Sequence, residues 1–424
     1  MGKHLFTALS VALISTSALA APVLDDQAIP QLGQKPAKAP ISVAELAELK
    51  VTVGGDASLK YVDNIYREPN NTDSDFIAAF APGFAVTSNF DKHAFNVEGN
   101  LEFGEYFDET RNNYIDGDLK ANGRYDIATG QALVGYARYR HDHAPIGSFV
   151  DEPDRAATEP TDYRFYDAGA GYDARFNDIK LDIGTEAQDY NYDNTSQLGG
   201  GKIINDDRDH EEYYQTARLG YFVAPEELVY VKGIYNNREY DNRIDGTALF
   251  PRDSDGYEVL AGWEHAMKQQ PIWFDASAGY ISQNYDASVL PTVDGYSAHF
   301  DGHYKPTEQL TFTGRFSRSV EENTLFGASG YMQTRVSAGM DYIFMPQWTL
   351  EVDGRYTNVD FETNSALTSL DREDDIYNAG IGVTYDITEL YNVGVQYLYE
   401  ERESNDNSVE YDQNAFLVKV GINY

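Results

Sequence analysis

Cysteine is absent from the 424-residue chain, and methionine and tryptophan are scarce, with 5 and 3 residues. The absence of cysteine excludes disulfide bonds, thiolate metal sites and catalysis by a thiol. It also excludes a lipoprotein, which carries its lipid on a cysteine that follows the leader. We therefore expect neither stability nor function to depend on a thiol.

Positive charge is scarce as well. The chain has 32 lysines and arginines against 69 aspartates and glutamates, a formal net charge of −37. A protein that binds nucleic acid neutralises phosphates with a basic face, so we expect no nucleic-acid partner. Long apolar runs are also missing: after the N-terminal segment no eighteen consecutive residues are apolar, and the sequence predicts no transmembrane helix.

The first twenty residues have the layout of an export signal. A short basic start precedes the apolar run LFTALSVALIS, and a small-x-small motif ends at Ala20, so we expect cleavage between Ala20 and Ala21. Residues 21–48 contain several prolines and no aromatic residue. We interpret them as a periplasmic tether with a short helix over VAELAEL, residues 43–49.

From residue 49 to residue 424 the texture is uniform and rich in aromatics and glycine. The chain has 33 tyrosines, 21 phenylalanines and 35 glycines, and apolar residues recur at every second position. This period is typical of half-buried strands. We predict eighteen strands, which begin near residues 50, 76, 93, 112, 131, 161, 178, 209, 227, 255, 271, 294, 309, 329, 348, 374, 390 and 409.

The connections between these strands alternate in length. Tight turns such as IATG, FNDI and KPTE follow the even strands, and long polar loops such as YDNTSQLGGGKIINDDRDHEE follow the odd strands. Membrane barrels have short periplasmic turns and long outer loops. An even number of strands places both termini on one side, so we expect both in the periplasm.

The polar face of the strands carries full charges, which a dry core does not tolerate. They are Asp116, Asp118, Lys120, Asp182, Glu186, Glu258, Asp275 and Arg335. Such residues can line water while the opposite face meets lipid. The sequence thus predicts an all-β fold: a transmembrane, antiparallel up-and-down β-barrel of about eighteen strands in the bacterial outer membrane, over residues 49–424.

Two segments resemble a known family. The stretches YRFYDAGAGYDARF, residues 163–176, and YNAGIGVTYDITELYNVGVQYLY, residues 377–399, together with the leader, the tether and the ending FLVKVGINY, are similar to the family described as putative β-barrel porin 2. The resemblance covers roughly residues 49–424. It implies an association with exopolysaccharide or capsule production, and with it polysaccharide and periplasmic export components as partners.

The last strand alternates to its end and closes on an aromatic residue. It resembles the signal that the barrel-assembly machinery of outer membranes reads, at positions Phe416, Val418, Val420, Ile422 and Tyr424. The resemblance implies that machinery as a partner. Lipid and lipopolysaccharide are the partners that the fold itself implies.

One strand carries an enzyme-like pattern. Ser297, His299, Asp301 and His303 share the face opposite Tyr296 and Phe300, so a serine relay or a two-histidine metal site is conceivable. No oxyanion hole or third ligand is evident beside them. We favour a hydrated pore wall and predict no enzyme and no dedicated metal site.

Acidic loops offer a weaker cation signal. His141-Asp142-His143, the stretch from Asp206 to His210, and Asp371 with Asp374 and Asp375 can hold divalent cations loosely or bridge to lipopolysaccharide. A solvated acidic rim explains them equally well, and no calcium-loop motif is present. We therefore expect no cofactor.

Arginines on the polar face are the candidate ligand contacts. Arg315, Arg335 and Arg355 fall on three consecutive predicted strands near mid-height, where guanidinium groups can bind carboxylate- or sulfate-bearing sugars. Ion pairing along the wall is the alternative, and we favour it for the other lumen arginines. The leading functional prediction is a channel for export or surface handling of an extracellular polysaccharide. A diffusion porin for small solutes and a structural or adhesive barrel with a plugged lumen are the alternatives.

Overall fold

The structure is a computed structural model that describes residues 44–46, 48–88, 90, 92–149, 157–241, 251–266, 272–322, 328–365 and 371–423. The expected cleavage site at Ala20 and Ala21, the tether up to residue 43, and Tyr424 lie outside these ranges. Within them, no helix is long and apolar enough to cross a membrane.

Eighteen strands of the described residues form one closed antiparallel barrel. We number them in chain order as β1 Leu49–Val62, β2 Asp75–Ser88, β3 His93–Tyr106, β4 Tyr114–Ala128, β5 Gln131–Ala144, β6 Thr161–Phe176, β7 Ile179–Tyr192, β8 His210–Ala224, β9 Glu227–Tyr240, β10 Ser254–Ala266, β11 Ile272–Tyr285, β12 Val293–Thr307, β13 Leu310–Glu322, β14 Ala328–Met345, β15 Trp348–Thr363, β16 Glu373–Asp386, β17 Tyr391–Ser404 and β18 Tyr411–Asn423.

Each strand pairs with its neighbours in sequence, and the last strand closes the ring on the first. In that closing pair Val418 lies opposite Leu59 and Val420 lies opposite Ala57. Closure leaves no unpaired sheet edge, which is the condition for a sheet that crosses hydrocarbon. The predicted fold is confirmed, and the predicted strand starts lie within two residues of the observed ones.

The expectation of a helix over residues 43–49 is wrong. Ala44–Leu46 is extended and pairs antiparallel with the first residues of β1, with Ala44 opposite Val51. Residues 44–46 therefore extend the sheet beside the start of β1. Pairing with an available strand edge outweighs the modest helix propensity of so short a segment.

Connections of different length lie at opposite ends of the barrel. One end, the short-turn rim, holds tight turns such as 129–130, 177–178 and 225–226. The other end, the long-loop rim, holds connections such as 63–74, 145–160 and 193–209. Among the described residues of the long connections are two 3-10 turns, Thr110–Asn112 and Asp206–Arg208, and a ribbon of Thr195–Ser196 with Lys202–Ile203.

The outward face of the strands is apolar and exposed, as a lipid-facing surface requires. Representative exposed residues are Phe95, Leu101, Leu219, Val231, Val259, Val395 and Val418. The inward face carries the charges, and many of them are buried against one another, including Asp182, Glu212, Arg218 and Arg238.

Glycines create space for inward tyrosines. Tyr114, Tyr136 and Tyr230 each lie directly opposite a glycine on the neighbouring strand. At each of these glycines, Gly104, Gly169 and Gly262, a Cβ would overlap the tyrosine ring. Each ring therefore occupies the space above the glycine on the neighbouring strand. This packing is one reason why the sequence is rich in both tyrosine and glycine.

Candidate functional site

The connection from β5 to β6 reaches the opposite wall of the barrel. Phe149 in this connection packs edge-on against Tyr331 of β14, with ring centroids 5.5 Å apart, and lies 6.2 Å from the ring of Phe361 on β15. The guanidinium of Arg402 on β17 lies 5.0 Å from the Phe149 ring centroid. Because β14 is half-way round the eighteen-strand ring from β5, the connection crosses the lumen near the long-loop rim. We call Phe149, Tyr331, Phe361 and Arg402 the inward cluster.

The base of this connection is fixed by the connection from β1 to β2. Gly147 has a φ of +73°, and a Cβ there would overlap the carbonyl oxygen of Tyr66. The residue after Tyr66, Arg67, places its Nε 3.0 Å from Oε1 of Glu400 on β17. Two long connections therefore fold inward together, and only glycine fits at the crossing point.

The last residues of β13 also contact side chains of other lumen strands. Arg238 of β9 contacts the carboxylate of Glu322 and donates from Nη2 to the carbonyl of Val320 over 3.3 Å. The hydroxyls of Tyr240 and Tyr285 donate to the same carboxylate over 2.9 and 3.1 Å. Tyr331 of β14 lies opposite Glu321 of β13, so the last residues of β13 and Phe149 of the β5–β6 connection meet at the inward cluster.

A buried ion network supports Arg402 from behind. Asp374 is fully buried and accepts from Arg402 over 2.6 Å, from Arg372 over 2.9 Å and from the hydroxyl of Ser404 over 2.5 Å. The neighbouring Asp375 points to the other face of the strand, where it accepts from Tyr356 over 2.6 Å. Asp374 and Asp375 therefore lie on opposite faces of β16, and Asp374 has two cationic partners, Arg372 and Arg402. Asp374 and Asp375 thus do not point into one cation-binding loop.

The acidic stretch from Asp206 to His210 packs on lumen aromatics. The His210 ring stacks between Tyr190 and Tyr240, with centroids 4.5 and 4.8 Å away. Asp209 accepts from the backbone N–H of Tyr192 over 2.7 Å. Burial, together with the nearby carboxylates of Asp206 and Asp241, raises the pKa of Asp209 to about 6.

The enzyme-like pattern on β12 divides into two groups. Ser297 and His299 converge on Glu258 of β10: His299 Nε2 lies 2.8 Å from Oε1 of Glu258, and Ser297 contacts the same oxygen. In a serine relay the imidazole separates hydroxyl from carboxylate and uses a different nitrogen for each. Here Nε2 meets both, and Ser297 is almost fully buried. The arrangement is a polar cluster of the lumen wall.

The other two residues of that pattern belong to a more open part of the wall. Asp301 lies 3.6 Å from Nε2 of His303 and 3.6 Å from Nε of Arg315. The side chains of Asp301, His303 and Arg315 are 40%, 45% and 69% exposed. The lumen is therefore solvated at this height, below the inward cluster.

The three candidate arginines surround one serine. Ser337 of β14 lies opposite Arg315 on β13 and opposite Arg355 on β15, and Arg335 is two residues away on the same strand. Directly opposed residues have Cβ atoms about 5 Å apart and next-nearest ones on a strand about 6–7 Å apart. The strands therefore bring the three guanidinium stems to one patch of the inward wall, which we call the arginine patch.

Other lumen arginines are held in ion pairs. Arg138 and Arg140 lie 2.6 and 3.3 Å from Oδ2 of Asp118. Arg124 lies 3.1 Å from Asp173, and Arg218 lies 2.6 Å from Glu264. These pairs match the ion-paired wall expected for most of the basic residues.

The family model described as putative β-barrel porin 2 matches residues 54–424. The chain belongs to this family. It is accordingly a porin-like barrel of the outer membrane. No curated protein matches the sequence.

Solved structures resemble this β-barrel porin 2 family member in fold. OccK1 of Pseudomonas aeruginosa has a TM-score of 0.45 at 12% identity, covering 88% of this chain and 98% of that one. OccK3 of the same organism has a TM-score of 0.44 at 13% identity, covering 88% of this chain and 95% of that one. The FrpB iron transporter of Neisseria meningitidis has a TM-score of 0.45 at 9% identity, covering 84% of this chain and 62% of that one. The similarity concerns barrel architecture alone.

The candidate assembly signal lies on the lipid-facing side of this family member. Phe416, Val418, Val420 and Ile422 of β18 are 44–54% exposed. Their alternation fits both a lipid-facing strand and an assembly signal, and the assembly role stays a prediction.

Sequence reasoning missed Phe149 and Glu258 as partners in these clusters. Phe149 is an aromatic residue inside a long polar connection, and this pattern could have indicated that the side chain packs against the barrel. Glu258 falls on the predicted polar face, but its pairing with Ser297 and His299 depends on strand register and side-chain reach across β11.

Proposed function

We propose that the protein is a passive channel whose lumen accepts anionic saccharides. The arginine patch carries this proposal, because strand register brings the three arginine stems to one patch of the inward wall and Arg315 is 69% exposed to the solvated lumen. Guanidinium groups bind carboxylate and sulfate with paired N–H donors. Several such groups along a channel wall lower the free-energy barrier to passage of an anionic solute without binding the solute tightly.

The proposed setting is surface export or handling of an exopolysaccharide or capsular polysaccharide. The long-loop rim then faces outward, both termini lie in the periplasm, and a cleaved leader and the 21–48 tether precede the barrel. Lipopolysaccharide surrounds the barrel, the barrel-assembly machinery inserts it, and periplasmic export components deliver the polymer. No covalent step on the polymer is proposed.

The arginine patch can be tested in planar bilayers. Replacing Arg315, Arg335 and Arg355 together by alanine is expected to shift the reversal potential in a salt gradient toward cation selectivity and to weaken block by acidic oligosaccharides. A triple variant of Arg124, Arg138 and Arg140, which are paired with aspartates, removes the same formal charge elsewhere and is the matched control. Equal shifts in both variants, or none in the first, would refute a special role for the patch.

A diffusion porin for small solutes is the second candidate, and the inward cluster favours it. Phe149 crosses the lumen and the last residues of β13 contact Arg238 of β9, an arrangement that suits a small solute better than a polymer. A deletion strain separates the two: loss of secreted polysaccharide with normal uptake of small sugars supports export, and the opposite result supports the porin. A barrel that conducts nothing, even after the inward cluster is weakened, would support a structural or adhesive role.

A further inference from the structure

A carboxylate and histidine cluster lies on the lumen wall at the long-loop rim. Asp116 is the third residue of β4, and Asp142 and His143 are near the end of β5. His143 Nδ1 lies 2.9 and 3.1 Å from the two oxygens of Asp116 and 3.9 Å from Oδ1 of Asp142. One ligand atom from each residue falls within 4.8 Å of the other two.

The three side chains are held in place by their surroundings. The Tyr114 ring stacks on the His143 imidazole with centroids 4.1 Å apart, and Gly104 leaves room for that ring. Asp142 accepts from the Tyr163 hydroxyl over 3.2 Å and from the His143 backbone N–H over 2.8 Å. Ligand atoms are therefore preorganised, which lowers the entropy cost of binding an ion.

We propose that Asp116, Asp142 and His143 bind a divalent transition-metal ion of the Zn²⁺ class. Two carboxylates and one imidazole are a donor set that such ions accept. Ligands at about 2.0–2.2 Å from one ion lie about 3–3.5 Å from each other, so the observed spacings need only small side-chain shifts. The ion replaces the direct contact between His143 Nδ1 and the Asp116 carboxylate, and water or a solute carboxylate fills the remaining positions.

The location gives the ion a structural effect. His143 precedes the β5–β6 connection, and Phe149 of the inward cluster lies six residues later in the chain. An ion shared by β4 and β5 ties the base of this connection to the wall. Bound metal is therefore expected to favour the inward position of Phe149.

Binding is tested with Co²⁺, whose visible absorption reports its ligands, and with Zn²⁺ as competitor, on the purified barrel in detergent after chelation. We expect one saturable Co²⁺ site that Zn²⁺ displaces. His143→Gln and Asp142→Asn are expected to weaken binding at least 10-fold. His265→Gln is the matched control, because His265 Nδ1 lies 2.6 Å from Glu227 outside this cluster and its loss should leave binding unchanged.

Folding of each variant is checked by heat-modifiable mobility on gels, which reports the closed barrel independently of metal. The proposal is overturned if no saturable Co²⁺ binding occurs. It is equally overturned if folded His143→Gln and Asp142→Asn bind Co²⁺ like the wild type, since the ion would then sit on the acidic rim.

Discussion

Replacing Phe149 by alanine tests whether the β5–β6 connection narrows the lumen. The substitution removes the packing of the Phe149 ring against Tyr331, Phe361 and Arg402. The two aromatic pairs are worth about 0.5–1.5 kcal/mol each, and the cation–π interaction is worth about 0.5–2 kcal/mol. Even a total of about 2 kcal/mol shifts the equilibrium between inward and released positions by about 30-fold.

Single-channel recording in a planar bilayer measures this shift. We expect Phe149→Ala to spend a larger fraction of time in its highest conductance level and to raise the mean conductance. Phe107→Ala is the control, because Phe107 lies in another long connection, is 60% exposed, and has its ring 6.2 Å from that of the neighbouring Phe76. If both variants conduct like the wild type, the inward cluster does not limit the pore and the reasoning fails.

Further predictions concern stability and pH. Gly262→Ala is expected to lower the free energy of unfolding by about 1–3 kcal/mol, since its Cβ would overlap the Tyr230 ring. Gel mobility measured against urea concentration reports this loss. Gly233→Ala, where the Cβ meets open space, is the control and should leave stability unchanged. The raised pKa of Asp209 means that its carboxyl contributes most stability below the ordinary value of 3.8 and loses it as pH rises through about 6. Protection factors for amide exchange, in which the intrinsic base-catalysed rate has been divided out, should therefore be larger in residues 193–209 at pH 5 than at pH 7.5. Asp209→Asn should remove this dependence, and an unchanged pH profile in that variant would exclude Asp209 as its source. Gly147→Ala should mimic Phe149→Ala in conductance because its Cβ would displace Tyr66 from the crossing point, and wild-type conductance in that variant would contradict the proposed packing.

Much of the barrel could be predicted because the signal repeats. A strand that crosses a bilayer must alternate, and a one-residue error moves every side chain to the wrong face. The outward residues of β18, Phe416 to Ile422, and the inward charges Asp116 and Glu258 follow directly from this period. Loop lengths indicate the two rims for the same reason, since each strand reverses direction.

The clusters could be predicted only in part. Arg315, Arg335 and Arg355 can be placed on three consecutive strands from the sequence, and the strand register brings their stems to one patch. The same spacing groups Ser297 and His299 with Asp301 and His303, yet the side chains turn to different partners, Glu258 and Arg315. The alternation along a strand determines which face of the sheet a residue lies on. Its side-chain torsions and the residues on neighbouring strands determine which partner it contacts.

The amino-acid sequence alone specifies the face of each residue, the number of strands and the two kinds of rim, because alternation is a local property of the chain. Two contacts emerge only in the folded barrel: Phe149 crosses to β14, and Arg238 of β9 holds the end of β13. Ring closure brings strands that are far apart in sequence across one lumen. Contacts over that distance depend on the diameter of the ring and the path of each connection, which no local pattern encodes.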